Sequence, residues 1–453
     1  MTAADPHRTQ IDRTPVDRTQ IDRTIDAVWR IESPRLIASL MRIVRDIGLA
    51  EDLAQDALVA ALEQWPQSGA PDNPGAWLMA AAKHRAIDHF RRSTLLERKH
   101  QELGREFEVK EMAVPDFEAA LDDDIGDDLL GLVFTACHPV LPTEARVALT
   151  LRLIGGLTTE EIARAFIVPE PTVAQRIVRS KRTLSEKHIP FEVPRGAELT
   201  ARLSSVLEVI YLIFNEGYSA TSGDAWIRPA LCEDALRLGR ILAELAPREP
   251  EVHGLVALME IQASRSKARV GPSGEPILLN DQNRSLWDQL LIHRGLAALD
   301  RAEKLRSEKP RAEDLGTARG WYGLQAEIAA CHARALTPDE TDWPRIVTLY
   351  EALAKIAPSP VVELNRAVAV AMAFGPAAGL ELVDVLTAER SLQNYHLLPS
   401  VRGDLLKKLG RVDEARTEFE RAASATRNKR ERELLLERAR ACVASSTPSE
   451  PRG

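Results

Sequence analysis

A row of polar side chains at helical spacing, near residue 175, has the composition of a surface that binds nucleic acid. The row comprises Thr172, Gln175, Arg176 and Arg179, followed by Lys181 and Arg182. Amide and guanidinium groups donate hydrogen bonds to base edges, and Arg176 is best placed for a paired contact with guanine. Arg179, Lys181 and Arg182 suit phosphate. A basic amphipathic helix also arises as an ordinary solvated face, so the elements around it must decide.

The residues before this row predict two short helices separated by a tight turn. Thr158 and Glu161 form a capping box, in which each side chain accepts from the other residue's backbone N–H. Pro169 and Pro171 end the first helix and start the second, because proline is tolerated in a first turn but not in a helix interior. Polar residues that begin in the first turn of the second helix are typical of a DNA-binding helix-turn-helix.

An acidic turn is predicted on the outer face of the helix Leu49–Trp65. Asp52, Gln55 and Asp56 stand at i, i+3 and i+4, which brings them together on one face. Acid–base catalysis would require a partner histidine or a metal-binding pattern, and neither accompanies them. From the residues alone this is a solvated acidic face.

The next predicted helix, Trp77–Arg92, combines basic residues with aromatic ones. Its basic edge consists of Lys83, Arg85, Arg91 and Arg92. Such an edge beside an aromatic ring can hold phosphates and unstacked bases. The alternative is that Trp77 and Phe90 belong to the core. His84 and His89 are five residues apart, which does not match the i, i+4 spacing of a helical metal pair.

Length and composition indicate an all-α protein of several domains. The chain has 453 residues, of which 45% are hydrophobic and only 5% aromatic. This length predicts two or three domains. The net charge is −8 and the pI about 5.8, so any nucleic-acid surface must be local.

The cysteine pattern and hydropathy predict a cytoplasmic protein without a metal or cofactor site. Cys137, Cys232, Cys331 and Cys442 are about a hundred residues apart, too far for a CxxC motif. No apolar run approaches the ~20 residues of a membrane span. Residues 8–24 repeat a polar five-residue unit, and we predict that residues 1–24 form a disordered tail.

Two motifs, in order, resemble the extracytoplasmic-function sigma factors of bacteria. LAEDLAQDA, a Pro/Gly loop and WLMAAAKHRAIDHFRR resemble sigma region 2, and LTTEEIA with TVAQRIVRSKR resembles region 4. The resemblance implies that Asp52, Gln55 and Asp56 bind RNA polymerase, and that region 4 reads the minus-thirty-five promoter element. It assigns a further set to the melted minus-ten strand: Trp77, Lys83, His84, Arg85, Asp88, Arg91 and Arg92. His84 stands where many relatives carry asparagine.

The resemblance sets the expected domains. Region 2 is expected at 25–95, an acidic linker at 96–126, and the region 4 helix-turn-helix at 127–190. The segment 116–128, which spans the end of the linker, contains seven carboxylates and no basic residue. The bland interpretation is a solvated linker that continues into the charged start of a helix.

Residues 199–445 are predicted to form successive helices separated by Pro, Gly or Asn-Asp loops. From Tyr395 the spacing of small and large residues matches a tetratricopeptide helix pair: Gly403, Leu406, Gly410, Ala415, Phe419 and Ala422. Earlier windows match less well. Stacked helix pairs bind partners rather than catalyse reactions. The string YLIFNEGYSAT resembles the sigma-factor subgroup with a tetratricopeptide-like C-terminal extension, which implies that the extension controls activity.

Three functions are weighed. A sigma factor accounts for both motifs and requires core RNA polymerase and promoter DNA as partners. A one-component regulator with a sensing helical domain explains the helix-turn-helix and the tail but leaves the region 2 motif unused. An enzyme has no Gly-rich phosphate loop, metal triad or nucleophile elbow to support it. A protein or a small molecule is the expected ligand of the C-terminal helices.

Overall fold

The computed structural model describes residues 18–102, 125–166, 168–220, 226–272, 274–308, 320–393 and 395–444. The helices are α1 Arg18–Val44, α2 Ile47–Ser68, α3 Pro74–Glu102, α4 Ile125–Ala136, α5 Thr143–Leu153, α6 Thr159–Phe166, α7 Glu170–Glu186, α8 Gly196–Tyr218, α9 Pro229–Leu245, α10 Pro250–Ala263, α11 Gln289–Glu308, α12 Trp321–Arg334, α13 Trp343–Ile356, α14 Pro360–Phe374, α15 Pro376–Leu386, α16 Leu397–Lys408, α17 Val412–Ala425 and α18 Lys429–Ala444. Within these ranges the only extended pairing is one isolated bridge between Val270 and Pro276. The all-α prediction is confirmed.

The chain divides into two compact units. The first comprises Met1–Ala163 and Pro169–Val206, and the second comprises Arg164–Val168 and Leu207–Gly453. The few residues at the end of α6 therefore group with the C-terminal helices. The helix α8 begins in the first unit and ends in the second.

The helix α1 starts earlier than the predicted tail boundary allows. It begins at Arg18, and Ile21 and Ile25, one turn apart, are both buried. Burial of these two side chains stabilises the first turns of α1. The five-residue repeat pattern did not predict this helical start. Residues 18–24 are thus helical, whereas residues 1–17 lie outside the described residues. Pro34 was expected to interrupt the row of apolar residues along this helix, but it lies inside α1.

The segment between the two predicted DNA-contacting domains is only partly described. The helix α3 continues to Glu102, past the predicted end of region 2 at residue 95. Residues 103–124, most of the predicted acidic linker, lie outside the described residues. Where the chain resumes in α4, Asp128 is buried and its Oδ2 lies 3.4 Å from Nε of Arg42 in α1.

The first half of α8 is part of the first unit, although the C-terminal domain was expected to begin at residue 199. Arg202 donates from Nη2 to the carbonyl oxygen of Phe134 at 3.0 Å. Ser205 donates to the carbonyl oxygen of Cys137 at 2.7 Å and accepts from Arg146. These buried hydrogen bonds replace water for groups that would otherwise be desolvated without partners.

Helices of the second unit pack on their neighbours in chain order from α12 to α18. Of the residues of the predicted last repeat, Gly403, Leu406, Ala415, Phe419 and Ala422 are buried, Tyr395 is half-buried and Gly410 is exposed. A Cβ atom at Gly403 would lie 2.9 Å from Cε1 of Phe419 and 3.2 Å from the carbonyl oxygen of Ala415. Glycine is thus required where α16 crosses α17.

Contacts between distant residues also hold the second unit together. The Asn428 side chain is buried and donates to the carbonyl oxygen of Ala220 at 3.0 Å, across 208 residues of sequence. The part of α8 in this unit contributes Val209, Ile210, Ile213 and Phe214 to the core. Tyr211 packs edge-on against the rings of Trp321 and Tyr322, at 5.0 and 5.6 Å between centroids.

Candidate nucleic-acid interface

The capping box that starts α6 has the predicted hydrogen bonds. The backbone N–H of Thr158 donates to Oε2 of Glu161 at 2.8 Å, and the Glu161 N–H donates to Oγ1 of Thr158 at 3.1 Å. The α7 helix begins after Pro169, which has φ −59° and ψ 137°. Its extended conformation separates the helices, and Pro171 lies in the first turn of α7, where its missing N–H is not needed.

The α7 helix has one buried face and one exposed polar face. Val173, Ile177, Ser180 and Leu184 are buried. The buried hydroxyl of Ser180 is satisfied by donating to the carbonyl oxygen of Arg176 at 2.6 Å. On the other side Gln175, Arg179 and Arg182 are exposed, and Thr172 and Arg176 are half-buried. The structure thus brings five of the six predicted DNA-contact residues to one surface.

Lys181 is the exception, and its predicted place among the phosphate contacts is corrected. It lies on the flank of α7 beyond the buried row, and its ammonium pairs with the carboxylate of Glu51 in α2. Nε of Arg152 binds the same carboxylate at 2.7 Å. The wheel position of Lys181, half a turn from Thr172, already separates it from the polar row. Its partner depends on tertiary packing.

Glu51 is buried and charged, and its pKa results from two opposing effects. Burial raises the pKa, but the positive charges and hydrogen bonds of Lys181 and Arg152 outweigh it and hold the pKa below its ordinary value. Gln55 also donates from Nε2 to Oε1 of Glu51 at 2.7 Å. Glu51 therefore joins α2, α5 and α7 within the first unit.

The predicted acidic turn on α2 is partly as expected. Asp52 and Asp56 are exposed, whereas Gln55 is half-buried and bonded to Glu51. Two residues on the same side were missed: Val59 is 50% exposed and Leu62 is 44% exposed. The i, i+4 pattern of apolar residues along α2 does not reveal where its buried face ends, so the exposure of Leu62 comes from the structure alone. The exposed side of α2 therefore carries two carboxylates next to two apolar side chains.

A similar apolar residue stands on the polar face of α7. Val178 is 64% exposed and lies between Gln175 and Arg182 at i−3 and i+4. An apolar side chain among exposed donors is suited to contact the methyl group of thymine. The exposure of Val178 in the structure is what points to this role. On the helical wheel alone, Val178 is simply an apolar residue that interrupts the polar face.

The predicted minus-ten residues of α3 mostly share one exposed face. His84, Arg85, Asp88, Arg91 and Arg92 are exposed. Trp77 is half-buried and packs edge-on against Trp65, with centroids 5.4 Å apart, so part of the Trp77 side chain remains accessible. Lys83 lies away from this face, beside the buried row of α3, and is half-buried. The imidazole of His84 is hydrogen-bonded through Nδ1 to the carbonyl oxygen of Ala80 at 2.8 Å.

Within the described residues, no group of three or more His, Cys, Asp or Glu side chains is arranged to hold a metal ion. The four cysteines are buried free thiols, and Cys137 Sγ lies 3.2 Å from Oγ1 of Thr150. Among the described helices, none is long and apolar enough to cross a bilayer.

Comparison with known proteins identifies three segments. Residues 29–95 match the family model of sigma-70 region 2, and residues 132–184 match that of sigma-70 region 4. Residues 202–303 match a family of unknown function, DUF6596. The two sigma matches contain α2, α3, α6 and α7, which carry the surfaces described above.

Similar whole proteins support the same assignment. An uncharacterised protein of Rhizobium meliloti is 42% identical over 400 residues, 87% of this chain and 90% of that protein. The probable ECF RNA polymerase sigma factor SigI of Mycobacterium tuberculosis is 27% identical over 172 residues, 37% of this chain and 57% of that protein. The RNA polymerase sigma-H factor of Pseudomonas aeruginosa is 27% identical over 156 residues, 34% of this chain and 79% of that protein.

The chain therefore belongs to one family with the Rhizobium meliloti protein, and its sigma-70 regions 2 and 4 make it an extracytoplasmic-function-like RNA polymerase sigma factor of transcription initiation.

Proposed function

We propose that this sigma factor reads the minus-thirty-five promoter element with the exposed face of α7. The observation that carries the proposal is the set of exposed amide and guanidinium groups in the first turns of the second helix of a helix-turn-helix. Recognition helices contact base edges with this part of the helix. The half-buried Arg176 is placed for guanine, and the exposed Arg179 for phosphate.

The melted minus-ten strand is assigned to the exposed face of α3. The accessible part of the Trp77 side chain provides a stacking surface, and Trp65 behind it holds the ring in place. Arg85, Arg91 and Arg92 supply positive charge along the same face. Lys83 is left out of this surface because it lies beside the core.

Core RNA polymerase is assigned to the exposed side of α2. Asp52 and Asp56 are solvent-exposed, and neither has an ion pair among the described residues. Val59 and Leu62 add apolar area, which supplies affinity when a partner covers it. Carboxylates at the rim of an apolar patch favour a partner with positive charge around an apolar groove.

The C-terminal helices are proposed to control activity, as in the subgroup with a tetratricopeptide-like extension. The support lies at the end of α6. Arg228, at the start of α9, donates to the carbonyl oxygen of Ala165 and pairs with Glu216 of α8. Ala165, near the end of the first helix of the helix-turn-helix, groups with these C-terminal helices, and Arg228 satisfies one of the last carbonyl groups of that helix. A ligand that moves α9 would act on that helix end.

The test of the proposed function compares promoter binding by the full chain with and without core polymerase. We expect little binding to promoter DNA alone, a stable complex with core enzyme, and runoff transcription from that complex. A one-component regulator would instead bind its DNA site tightly without polymerase. Tight, sequence-specific binding by the isolated protein, with no transcription on addition of core enzyme, would reject the assignment of α7 and α3.

A further inference from the structure

Three arginines of the second unit lie in the segment between α10 and α11. Arg265 and Arg269 follow the end of α10, and Arg284 lies in the turn that leads to α11. Arg265 is 8% exposed and Arg269 is 7% exposed, so both are more than nine-tenths buried. A guanidinium is always charged in proteins, and burying it without an anion is costly.

Two of these arginines have structural roles at helix ends. Arg269 donates to the carbonyl oxygen of Tyr218, the last residue of α8. Arg284 donates to the carbonyl oxygens of His332 at 2.9 Å and Ala335 at 2.6 Å, at the end of α12. Cations are favoured there because the last carbonyl groups of a helix carry partial negative charge.

Arg265 has no such role. Its guanidinium lies between two rings, 5.7 Å from the centroid of Tyr218 and 5.8 Å from that of Trp287. Its Nε is enclosed and has no hydrogen-bond acceptor. In the described part of the chain no carboxylate pairs with Arg265, Arg269 or Arg284. Stacking on the rings offsets some of the cost of burial but leaves the enclosed Nε without an acceptor.

The neighbours of Arg265 include a second cation, Arg284, on which the carboxylate of Glu340 acts from a distance. Trp287 also lies beneath the Arg284 guanidinium, 5.0 Å from its ring centroid, so both cations share one ring. The buried Nε1 of Trp287 and Nδ1 of His332 have no partners. Burial, with the charges of Arg265 and Arg284, lowers the pKa of His332 to about 3, so its imidazole is neutral. Arg265 therefore has a neighbouring cation and, within the described residues, no carboxylate at ion-pair distance.

We propose that Arg265, together with Arg284 and His332, binds the oxyanion of a small molecule, a phosphate or a carboxylate group. An oxyanion accepts paired hydrogen bonds from a guanidinium and neutralises the cluster. A nucleic-acid backbone is excluded because Arg265 is too enclosed to meet a polymer. Arg265 and Arg284 lie within the segment that matches the family of unknown function, His332 lies beyond it, and nothing in the sigma regions accounts for the cluster.

Thermal unfolding and calorimetry of the full chain test the site, with inorganic phosphate and succinate as separate probes. Sodium chloride of equal ionic strength serves as the salt control. At least one probe should raise the melting temperature saturably, as ligand binding to the native state requires. A response to phosphate alone identifies a phosphate site, and a response to succinate alone a carboxylate site.

Arg265→Gln should weaken binding of the active probe by about tenfold or more. In buffer without either anion it should not lower the melting temperature, because it removes an unpaired buried charge. Arg265→Lys retains the charge but not the planar fork and should bind with intermediate affinity. Arg294→Gln, an exposed arginine of α11, is the matched control and should bind like the parent.

Either of two results would overturn the proposal. One is the absence of any saturable response to both probes beyond that of sodium chloride. The other is an Arg265→Gln protein that binds the active probe with unchanged affinity. Neither readout involves polymerase or promoter DNA, so failure here leaves the proposed sigma-factor surfaces unaffected, and failure of those surfaces leaves this site unaffected.

Discussion

At the scale of single residues, neighbouring arginines of α7 are expected to differ in function. Arg176 is half-buried, whereas Arg179 is exposed. Arg176→Ala should lose about 1–3 kcal/mol of discrimination at one base pair. Arg179→Ala should weaken binding to all promoters alike and reduce the slope of log affinity against log salt by about 1.

These effects are measured on the complex with core polymerase, using promoters that differ at single positions of the upstream element. Lys304→Ala, on α11 in the second unit, removes an exposed cation far from α7 in sequence and serves as the control. An Arg176→Ala protein with unaltered base preference would count against the base-reading role.

The buried carboxylate of Glu51 gives a prediction for acid stability. Its pKa in the folded protein is lowered, so the ion pairs stabilise the fold above the ordinary glutamate pKa, and this stabilisation is lost as the pH falls through the folded pKa. Glu51→Gln leaves Lys181 and Arg152 without their counter-ion and should destabilise the first unit by about 3 kcal/mol at neutral pH.

Urea unfolding of the full chain from about pH 3 to pH 7 measures this, and the difference between parent and variant should shrink toward the acid end. Glu63→Gln is the control, because Glu63 is an exposed carboxylate of the same helix and its loss should cost under about 0.5 kcal/mol. A constant difference across the pH range would contradict the charge-based explanation.

At the scale of elements, the exposed side of α2 is expected to carry polymerase binding. Asp52→Arg combined with Asp56→Arg should abolish retention of core enzyme while leaving helicity intact, because both side chains point to solvent. A pull-down of core polymerase by the tagged full chain measures this. Asp300→Arg with Asp339→Arg makes the same change of charge at exposed sites in the second unit and should bind normally. Unchanged retention by the α2 variant would remove that surface from the docking site.

The apolar part of the same surface gives a separate prediction. Leu62→Asn replaces a side chain that is 44% exposed, so it should lower stability little and weaken polymerase binding by about tenfold. Competition with the parent protein for core enzyme measures the difference. If Leu62→Asn instead unfolds the protein at lower urea concentration with unchanged competition, the residue belongs to the core and not to the interface.

At the scale of the whole molecule, the role of the C-terminal helices is best tested without truncation. A chain ending after Arg195 would lose Arg202 and Ser205, whose hydrogen bonds belong to the first unit. Arg228→Gln instead leaves these hydrogen bonds in place and disrupts the contacts to Ala165 and Glu216. We expect transcription by this variant to fall by about fivefold or more, since allosteric coupling is typically of this size.

Multiple-round transcription with saturating core polymerase measures the loss, and binding of the core enzyme itself should be unchanged. Arg248→Gln, an exposed arginine in the loop after α9, is the matched control. Transcription by Arg228→Gln at the parent level would remove the regulatory role assigned to this contact.

The sequence by itself determined the parts of this protein that depend on local interactions. The capping box of Thr158 and Glu161 and the prolines before α7 specify the helix-turn-helix, because each acts over three or four residues. Helical periodicity predicted most of the polar face of α7, because it too depends on residues three or four positions apart. The two sigma regions, and with them the function in transcription initiation, were recognisable from these motifs in order.

Only the tertiary structure decided which charged groups meet across the chain. Lys181 was predicted to bind phosphate but pairs with Glu51, 130 positions earlier, because packing of α2 and α7 brings them together. Packing also assigned the start of α8 to the first unit and left Leu62 exposed. The buried Arg265 gave no signal in the sequence, since an arginine after a helix is ordinarily solvated. Its isolation from carboxylates is a property of the folded chain, because burial is what makes an unpaired charge costly.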